Sequence, residues 1–361
     1  MPEATRQQRY SGTKDVADTL SFDVARLEAY LAGHIDGFTR PLEVRQFKGG
    51  QSNPTYQLIT PNRKYVLRRK PPGKLLPSAH AVDREFRIIS ALHPTGFPVA
   101  RPYLLCEDDG VIGTMFYVME CVEGRIFWDG ALPDVARAER RAIYDAMNET
   151  LARLHGIDYP AIGLGDYGKA GNYIARQIAR WSKQYQASET ETIAEMDKLI
   201  AWLPGRVPQD ERISIVHGDF RIDNLILHPS EPRVLAVLDW ELSTIGDPLA
   251  DFAYHLMQWQ MPVLDALSAG SLLDQDLSAL GIPDADEYIA AYCRRTGRES
   301  LPEMNYYAAY NFFRLAGILQ GIVGRVRDGT AANANAARNA AAVRPLAERA
   351  WHFAKRAGAQ D

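Results

Sequence analysis

The spacing of hydrophobic residues along the chain changes at about residue 122. Before that point, VRQFKGGQSNPTYQLIT, KYVLRR and GTMFYVMECV contain short runs rich in β-branched and aromatic residues, and such runs predict strands. Two segments have helical spacing instead, FDVARLEAYL and SAHAVDREFRIISALH. The first third of the chain is therefore expected to be rich in strands with a few helices.

Beyond residue 122 the apolar residues recur mainly at helical intervals. The segment ARAERRAIYDAMNETLARLHGI carries Ile143, Met147, Leu151 and Leu154 on one face, and the Ala-rich ANANAARNAAA is also expected to be helical. One β-like region, ISIVHGDFRIDNLILHPSEPRVLAVLDW, interrupts these helices. The second part of the chain is therefore predicted to be helical with one embedded β region.

The length of the chain supports two lobes. A chain of 361 residues, 46% of them hydrophobic, exceeds the usual size of a single core. We predict an α+β fold with a flexible leader over residues 1–20, a small β-rich N-lobe over residues 21–122 and a larger helical C-lobe over residues 123–361. A cleft between two lobes is a common place for a ligand.

Charge and cysteine content narrow the class of protein. The net charge of −4, with 24% charged residues, argues against a nucleic-acid binder that works through bulk positive charge. Cys106, Cys121 and Cys293 form no CxxC pair, which argues against a disulfide scaffold and fits a reducing compartment. The N-terminus lacks an apolar signal core, and no apolar run reaches the roughly 18 residues of a membrane span. We expect a cytoplasmic protein without nucleic-acid or membrane partners, and the sequence leaves its oligomeric state open.

Polar residues beside the predicted strands indicate a catalytic site. VHGDFRIDNLILHP places Asp219 and Asn224 beside apolar runs, and LDWE places Asp239 at the end of another. A carboxylate and an amide oxygen suit Mg²⁺, which prefers a few protein oxygens together with phosphate oxygens. Asp219 could then accept the proton of an attacking hydroxyl. Each residue alone also fits an ordinary turn, but the combination favours phosphoryl transfer.

An upstream loop, FKGGQSNPTYQL, could bind phosphate. Gly49 and Gly50 permit close approach of the backbone, and Gln51, Ser52 and Asn53 offer backbone and side-chain donors. The alternative is a plain hairpin turn between two strands, which often contains glycine.

The basic segment RKYVLRRKPPGK offers a cation for the nucleotide phosphates. Side chains alternate along a strand, so Arg68 and Arg69 cannot both face the same site. We predict that Arg68 holds the phosphates and that Glu85, from the following helix, orients it. Arg69 is predicted to lie on a solvated basic edge, which protects a sheet against aggregation.

These motifs resemble the aminoglycoside phosphotransferase-like family, small-molecule relatives of the protein kinases. The shared segments are FKGGQSNPTYQL, YVLRR with DREFRII, FYVMECVEG, HGDFRIDN and LDWELSTIGDPLAD, and they cover about residues 45 to 255. The resemblance implies a bilobal protein-kinase-like fold, ATP bound between the lobes, and an alcohol group as phosphoryl acceptor.

The resemblance also implies a role for each matching residue. Asp219 would be the catalytic base or would orient the hydroxyl, and Asn224 and Asp239 would bind Mg²⁺. FYVMECV is similar to the hinge segment, so backbone groups around Glu120 and Val122 would contact adenine.

Further residues would support these groups. His217 would brace the catalytic loop, and Asp247 and Asp251 of GDPLAD would cap the next helix and support that loop. Arg221 could neutralise the transferring phosphoryl group or could be an outward-facing loop cation. Arg68 stands where the family usually has Lys; a guanidinium is always charged, but it differs from an ammonium in geometry.

A narrower resemblance concerns the acceptor. YVLRRKPPGKLLPSAHAVDREFRII and MFYVMECVEGRIFWD are similar to the branch that also occurs fused to acyl-CoA dehydrogenase domains. That branch implies a hydroxyacyl-CoA acceptor, in particular a 4-hydroxyacyl thioester. The alternatives are an aminoglycoside or other small-alcohol kinase and a non-catalytic nucleotide-binding pseudokinase. The aromatic segment NYYAAYNFFRL is not the acidic lining that a polycationic aminoglycoside requires.

Overall fold

A computed structural model describes residue 7 and residues 10–49, 53–72, 80–208, 212–264, 271–328 and 336–361, without the side chains of residues 336 and 337. The chain divides into two compact units. Unit 1 consists of Met1–Trp128, Ile162–Leu164 and Ile222–Ser243, and unit 2 consists of Asp129–Ala161, Gly165–Arg221 and Thr244–Asp361. The embedded β region thus contributes to both units. The boundaries of the leader and lobes at residues 20 and 122 stay a prediction.

The elements follow one another as the hydrophobic pattern predicts, strands first and helices later. The strands are β1 (Thr13–Lys14), β2 (Glu43–Phe47), β3 (Thr55–Ile59), β4 (Lys64–Arg69), β5 (Pro102–Cys106), β6 (Phe116–Glu120), β7 (Ser214–Val216), β8 (Leu225–Leu227), β9 (Val234–Val237) and β10 (Thr244–Gly246). The α-helices are α1 (Val24–His34), α2 (Val82–Leu92), α3 (Asp109–Ile112), α4 (Arg137–His155), α5 (Tyr173–Ser188), α6 (Ala194–Trp202), α7 (Pro248–Leu256), α8 (Leu277–Leu280), α9 (Ala285–Thr296), α10 (Met304–Arg327) and α11 (Ala336–Arg356). The predicted α+β class is confirmed.

Unit 1 is built on an antiparallel six-stranded sheet in the order β1-β2-β3-β4-β6-β5. Asp23 begins α1, because its carboxylate accepts a hydrogen bond from the Arg26 amide at 3.0 Å, a cap that typically contributes about 1 kcal/mol. The buried residues of α1 join one hydrophobic cluster with alternate residues of the central strands: Leu27, Leu31, Tyr56, Leu58, Tyr65, Leu67, Phe116 and Val118.

Arg69 lies on this buried side of the sheet. It is only 2% exposed, and it donates hydrogen bonds to the carbonyl oxygens of Ile112 at 3.2 Å and Leu20 at 2.8 Å. Its guanidinium carbon lies 5.0 Å from the ring centroid of Phe22 and 5.4 Å from that of Tyr56. The prediction of a solvated edge is therefore wrong for Arg69. Strand alternation turns it towards the cluster, where carbonyls and aromatic rings replace water.

Unit 2 is mainly helical, and its short antiparallel pair β7–β10 matches Ser214 with Gly246. A capping box begins α9, in which Asp284 and Glu287 each accept a hydrogen bond from the other's backbone amide. The helix predicted over residues 332–342 is confirmed from Ala336 onward, and residues 332–335 lie outside the described residues. Within the part of the chain that the structure describes, no helix is both long enough and apolar enough to cross a bilayer.

Candidate active site

Arg68 and Glu85 form a buried ion pair in unit 1. Arg68 Nε donates to Glu85 Oε2 at 2.7 Å, and the exposed fractions of the two residues are 8% and 1%. Arg68 Nη2 also donates to Asp239 Oδ1 at 2.8 Å. Burial alone would lower the pKa of Arg68, but the carboxylates of Glu85 and Asp239 raise it. The guanidinium therefore stays charged and links β4, α2 and the residue that follows β9 by two residues.

Glu85 accepts hydrogen bonds from two further side chains. Asn53 Nδ2 donates to Oε1 at 2.8 Å, and the Tyr117 hydroxyl donates to Oε2 at 3.1 Å. Tyr117 can reach Glu85 because it lies directly opposite Arg68 in the β4–β6 register. Burial raises the pKa of Glu85, and the charge of Arg68 with the hydrogen bonds from Arg68 and Tyr117 opposes that shift. Tyr117 was not predicted, because the strand pattern of FYVMECV does not give the register with β4.

The loop that is predicted to bind phosphate is described only in part. Gly50, Gln51 and Ser52 lie outside the described residues. A Cβ on Gly49 would lie 3.4 Å from the ring of Trp128, so the loop passes close to that side chain. The Asn53 amide is committed to Glu85, as above, and its Oδ1 lies 2.9 Å from His80 Nδ1. The structure thus places Asn53 in the support of Glu85, and phosphate contacts of this loop stay a prediction.

The predicted hinge residues lie at and after the end of β6. Glu120 is its last residue, and its amide donates to the carbonyl of Arg101 at 2.8 Å, so this donor is already used. Val122 follows β6 and is half-buried. The contact of these backbone groups with adenine stays a prediction.

The hairpin β8–β9 brings Asn224 and Asp239 to the same end of unit 1. Leu225 pairs with Val237, and the amide of Leu238 donates to the carbonyl of Asn224 at 2.8 Å. Asn224 therefore precedes one strand where Asp239 follows the other. This adjacency is what the sequence predicted from strands around a loop.

The charges around Arg68 are compatible with a divalent cation. Glu85 and Asp239 contact the guanidinium directly, and Glu241 Oε2 lies 3.6 Å from Arg68 Nη2. Three carboxylates facing one cation leave an excess of negative charge. Among the residues that the structure describes, no three His, Cys, Asp or Glu side chains form a closed metal site. An open site of one carboxylate and one amide oxygen, completed by phosphate, fits Mg²⁺.

The catalytic-loop candidate, Asp219, lies in unit 2. Gly218 before it has a φ of 84°, a left-handed conformation that glycine adopts without strain. The Tyr254 hydroxyl donates to Asp219 Oδ1 at 2.6 Å, and Arg221 Nε lies 3.3 Å from the same oxygen. Burial and the Asp219 carboxylate raise the pKa of Tyr254 well above its ordinary value, so its proton is retained. Arg221 is exposed but turns towards Asp219.

Asp251 holds the backbone of this loop. Its two carboxylate oxygens accept hydrogen bonds from the amides of His217 at 2.7 Å and Gly218 at 2.8 Å, and His155 Nε2 lies 3.3 Å away. Burial opposes ionisation, but these donors lower the pKa of Asp251. His217 Nδ1 accepts a hydrogen bond from the Asp219 amide at 3.2 Å. These contacts place His217 and Asp251 against the backbone of this loop, and their roles in catalysis stay a prediction.

Two other residues complete the surroundings of the loop. Asp247 caps α7 by accepting a hydrogen bond from the Leu249 amide at 2.8 Å, as predicted. Arg314, in α10, donates to the carbonyl of Gly218 at 3.2 Å, and its guanidinium carbon lies 5.2 Å from the Tyr254 ring centroid. Tyr254 and Arg314 were not predicted, because each lies in a helix whose apolar spacing indicated core packing.

The comparisons with known proteins give the class of protein, a phosphotransferase. The model of the "Phosphotransferase enzyme family" matches residues 43–304, and the chain belongs to this family. The family resemblance stated from the motifs is confirmed.

Curated relatives include acyl-CoA dehydrogenase family members. Mouse acyl-CoA dehydrogenase family member 10 is 47% identical over 347 residues, which cover 96% of this chain and 32% of the relative. Human acyl-CoA dehydrogenase family member 11 is 44% identical over 356 residues, covering 96% of this chain and 45% of the relative. The chain thus spans less than half the length of these relatives, and the predicted branch is confirmed.

Solved structures agree on the fold. A crystal structure from Ralstonia eutropha, provisionally assigned as an aminoglycoside phosphotransferase, is 53% identical with a TM-score of 0.85, and the match covers 93% of this chain and 99% of that one. Choline kinase from Cryptosporidium parvum is 11% identical with a TM-score of 0.64, covering 93% and 97% of the two chains. Spectinomycin phosphotransferase in complex with ADP and spectinomycin is also 11% identical, with a TM-score of 0.61 and coverage of 92% and 99%. The bilobal kinase-like fold is confirmed, and the family match confirms the class of enzyme, a phosphotransferase.

Proposed function

We propose that the protein transfers the γ-phosphoryl group of ATP, in the presence of Mg²⁺, to a hydroxyl of a hydroxyacyl-CoA, with 4-hydroxyacyl thioesters as the first candidates. The main support for this reaction comes from the contacts of Asp219. Tyr254 and Arg221 hold one oxygen of its carboxylate, and Asp251 fixes the loop that carries it. The choice of acceptor is supported by the similarity to acyl-CoA dehydrogenase family members over 96% of the chain.

The reaction requires only one proton transfer from the acceptor. The acceptor oxygen forms a bond to the γ-phosphorus while the bond from that phosphorus to the β–γ bridging oxygen breaks, and ADP leaves with the electron pair. The hydroxyl proton passes to the Asp219 carboxylate and then to solvent. The Tyr254 hydroxyl donates to Asp219 throughout the reaction and so orients the carboxylate. The positive charge of Arg221 stabilises the negative charge that develops on the phosphoryl oxygens.

The nucleotide is assigned to residues of unit 1. Arg68, held by Glu85, would contact the phosphates, and Asn224 and Asp239 would hold Mg²⁺. When bound, the ion neutralises charge on phosphate oxygens. The buried pair gives Arg68 one fixed orientation, which a flexible surface cation would lack. Gly49 and the residues that follow it, with the hinge backbone at Glu120 and Val122, remain the proposed contacts of the rest of the nucleotide.

A second candidate function is nucleotide binding without turnover. It is favoured by one observation, the 2.8 Å hydrogen bond from Arg68 to Asp239, because this bond occupies an oxygen of a proposed metal ligand. The guanidinium of Arg68 contacts both acids through a rigid planar fork, a geometry that differs from the compact ammonium of the family's usual Lys.

The state of the cysteines supports a cytoplasmic location. Cys106, Cys121 and Cys293 are all free thiols, and Cys106 and Cys293 are buried. Free thiols in this number fit a reducing compartment.

The test is ADP release with a panel of acceptors: hydroxy acids, their CoA thioesters, sugars and aminoglycosides. Wild type should respond to 4-hydroxyacyl thioesters, and Asp219→Asn should lower kcat by roughly 100- to 10,000-fold, the usual contribution of a general base. Asp286→Asn, an exposed carboxylate of α9, is the matched control. A thermal shift with Mg-ATP but no ADP release with any acceptor would favour the binding-only function. Full turnover by Asp219→Asn, or turnover of aminoglycosides alone, would contradict the proposal.

A further inference from the structure

Arg314 is a buried cation with few partners in the described part of unit 2. It is 8% exposed, and its hydrogen bond to the Gly218 carbonyl at 3.2 Å uses one of five N–H donors. Within the described ranges it forms no ion pair, whereas the equally buried Arg68 contacts carboxylates. Buried arginines are normally paired, so this one has donors to spare.

Arg69, which is also buried, has the contacts of a purely structural arginine, and Arg314 differs from it. Arg69 donates to two carbonyls, packs against two rings, and its unpaired Nε is fully enclosed. The nitrogens of Arg314 are not among the enclosed unpaired atoms of the described residues. The unpaired nitrogens of Arg314 therefore keep some solvent exposure, which the Nε of Arg69 lacks.

Among the described residues, the hydrogen bond to the Gly218 carbonyl leaves most N–H donors of Arg314 without an acceptor. Tyr310, one helical turn earlier on the same face of α10, is 1% exposed, and its hydroxyl has no hydrogen-bond partner among the described residues. The Tyr254 hydroxyl is already donated to Asp219. Since an unpaired buried donor typically costs about 1–3 kcal/mol, the ligand that suits this place is one that only accepts: an oxygen anion or a carbonyl oxygen.

Arg314 is also tied to the catalytic loop. Gly218, whose carbonyl it contacts, immediately precedes Asp219, and its guanidinium stacks on the ring of Tyr254, which in turn holds Asp219. An oxygen bound by Arg314 would thus belong to the same small molecule as a hydroxyl at Asp219.

We propose that Arg314 binds the acyl oxygen of the acceptor and determines its specificity. The oxygen would be the carboxylate of a hydroxy acid or the thioester carbonyl of its CoA derivative, with the hydroxyl a few carbons away. A guanidinium pairs best with a planar carboxylate and also donates to a carbonyl. The inference rests on the proposed phosphoryl transfer and adds what selects the acceptor.

The experiment compares the full chain with Arg314→Gln and Arg314→Lys, and uses Arg325→Gln, an exposed arginine of the same helix, as the control. The acceptors are 4-hydroxypentanoate, 4-hydroxypentanoyl-CoA and the neutral 1,4-pentanediol. Arg314→Gln should raise KM at least about tenfold for the acid, the thioester or both, as expected for loss of a charge-assisted bond. KM for ATP and KM for the diol should not change, and in KM for the acyl acceptors Arg314→Lys should lie between Arg314→Gln and wild type. A larger rise in KM for the acid would identify the oxygen as that of a free carboxylate, and a larger rise for the thioester would identify it as the thioester carbonyl.

Two outcomes would overturn the specificity role. One is an unchanged KM for both acyl acceptors in Arg314→Gln, and the other is an equal loss of kcat for all three acceptors, which would indicate a role in the loop or at the phosphoryl group. Binding of pentanoate and pentanoyl-CoA, measured without ATP by ligand-observed NMR, separates the two proposals. Loss of this binding in Arg314→Gln supports the acyl site even if no acceptor is phosphorylated. Phosphorylation without acyl preference supports the function and rejects the site.

Discussion

Tyr254 illustrates how a helix orients an aspartate in a neighbouring loop. Its hydroxyl lies 2.6 Å from Asp219 Oδ1, and its raised pKa keeps the proton on the tyrosine. A hydrogen bond to a charged group contributes more than a neutral one, and here it fixes the carboxylate that would take the acceptor proton. Residues of this kind act through another residue, so they should affect kcat more than substrate affinity.

We therefore predict that Tyr254→Phe lowers kcat by roughly 10- to 100-fold, the loss expected for one charge-assisted hydrogen bond. KM for ATP should stay within a factor of two or so, since the nucleotide is assigned to other residues. Steady-state kinetics with the preferred acceptor measure both constants. Tyr159→Phe, in the loop after α4, is the control, and an unchanged kcat in Tyr254→Phe would reject the positioning role.

The strand β4 places two adjacent arginines in different environments. Arg68 pairs with Glu85 and Asp239, while Arg69 turns into the hydrophobic cluster of unit 1. Replacement of Arg68 alone should destabilise the fold, because the buried carboxylate of Glu85 would lose its cation. Exposed pairs of the same strand, such as Lys64 with Glu123, should contribute little.

We predict that Arg68→Met lowers the free energy of unfolding by about 3–5 kcal/mol, and that adding Glu85→Gln recovers part of this loss. Urea denaturation measures both effects, and Lys64→Met is the matched control from the same strand. Neither the single nor the double variant should show a thermal shift with Mg-ATP. A double variant that regains the shift would show that Arg68 does not contact the nucleotide.

The elements also show what the sequence could predict. Periodicity predicted the strands and helices, and the spacing of HGDFRIDN and LDWE predicted the adjacency of Asn224 and Asp239, because both depend on local pattern and short hairpins. The contacts of Tyr254 and Arg314 with the loop that carries Asp219 depend on packing between elements that are distant in the chain. The burial of Arg69 could not be predicted. The alternation of side chains along β4 shows that Arg69 and Arg68 lie on opposite faces of the sheet, but not that Phe22 covers the face of Arg69.

At the scale of the whole molecule, buried ionisable residues should make stability depend on pH. Burial lowers the pKa of His255 from 6.5 to about 4. As a neutral side chain it can donate to the Phe220 carbonyl at 3.1 Å and accept from the Tyr288 hydroxyl at 2.7 Å. Between these pH values the unfolded chain binds a proton that the folded chain does not, so the free energy of unfolding falls as the pH falls.

We predict a loss of about 3 kcal/mol from this histidine between pH 6.5 and pH 4, which His255→Asn should remove. Asp251, whose pKa is lowered, should add a further loss as the pH falls below its ordinary value of 3.8. Denaturation at a series of pH values measures the slope, and the exposed His93→Asn is the control. An unchanged slope in His255→Asn would reject the assignment.

The most direct measurement of the central claim identifies the product rather than the consumption of ATP. Wild-type protein with ATP, Mg²⁺ and 4-hydroxypentanoyl-CoA should give a phosphate ester on the acceptor hydroxyl, identified by mass spectrometry and phosphorus NMR. Asp219→Asn should give almost none. Formation of ADP and inorganic phosphate without the ester, or equal amounts of the ester from both proteins, would contradict the account.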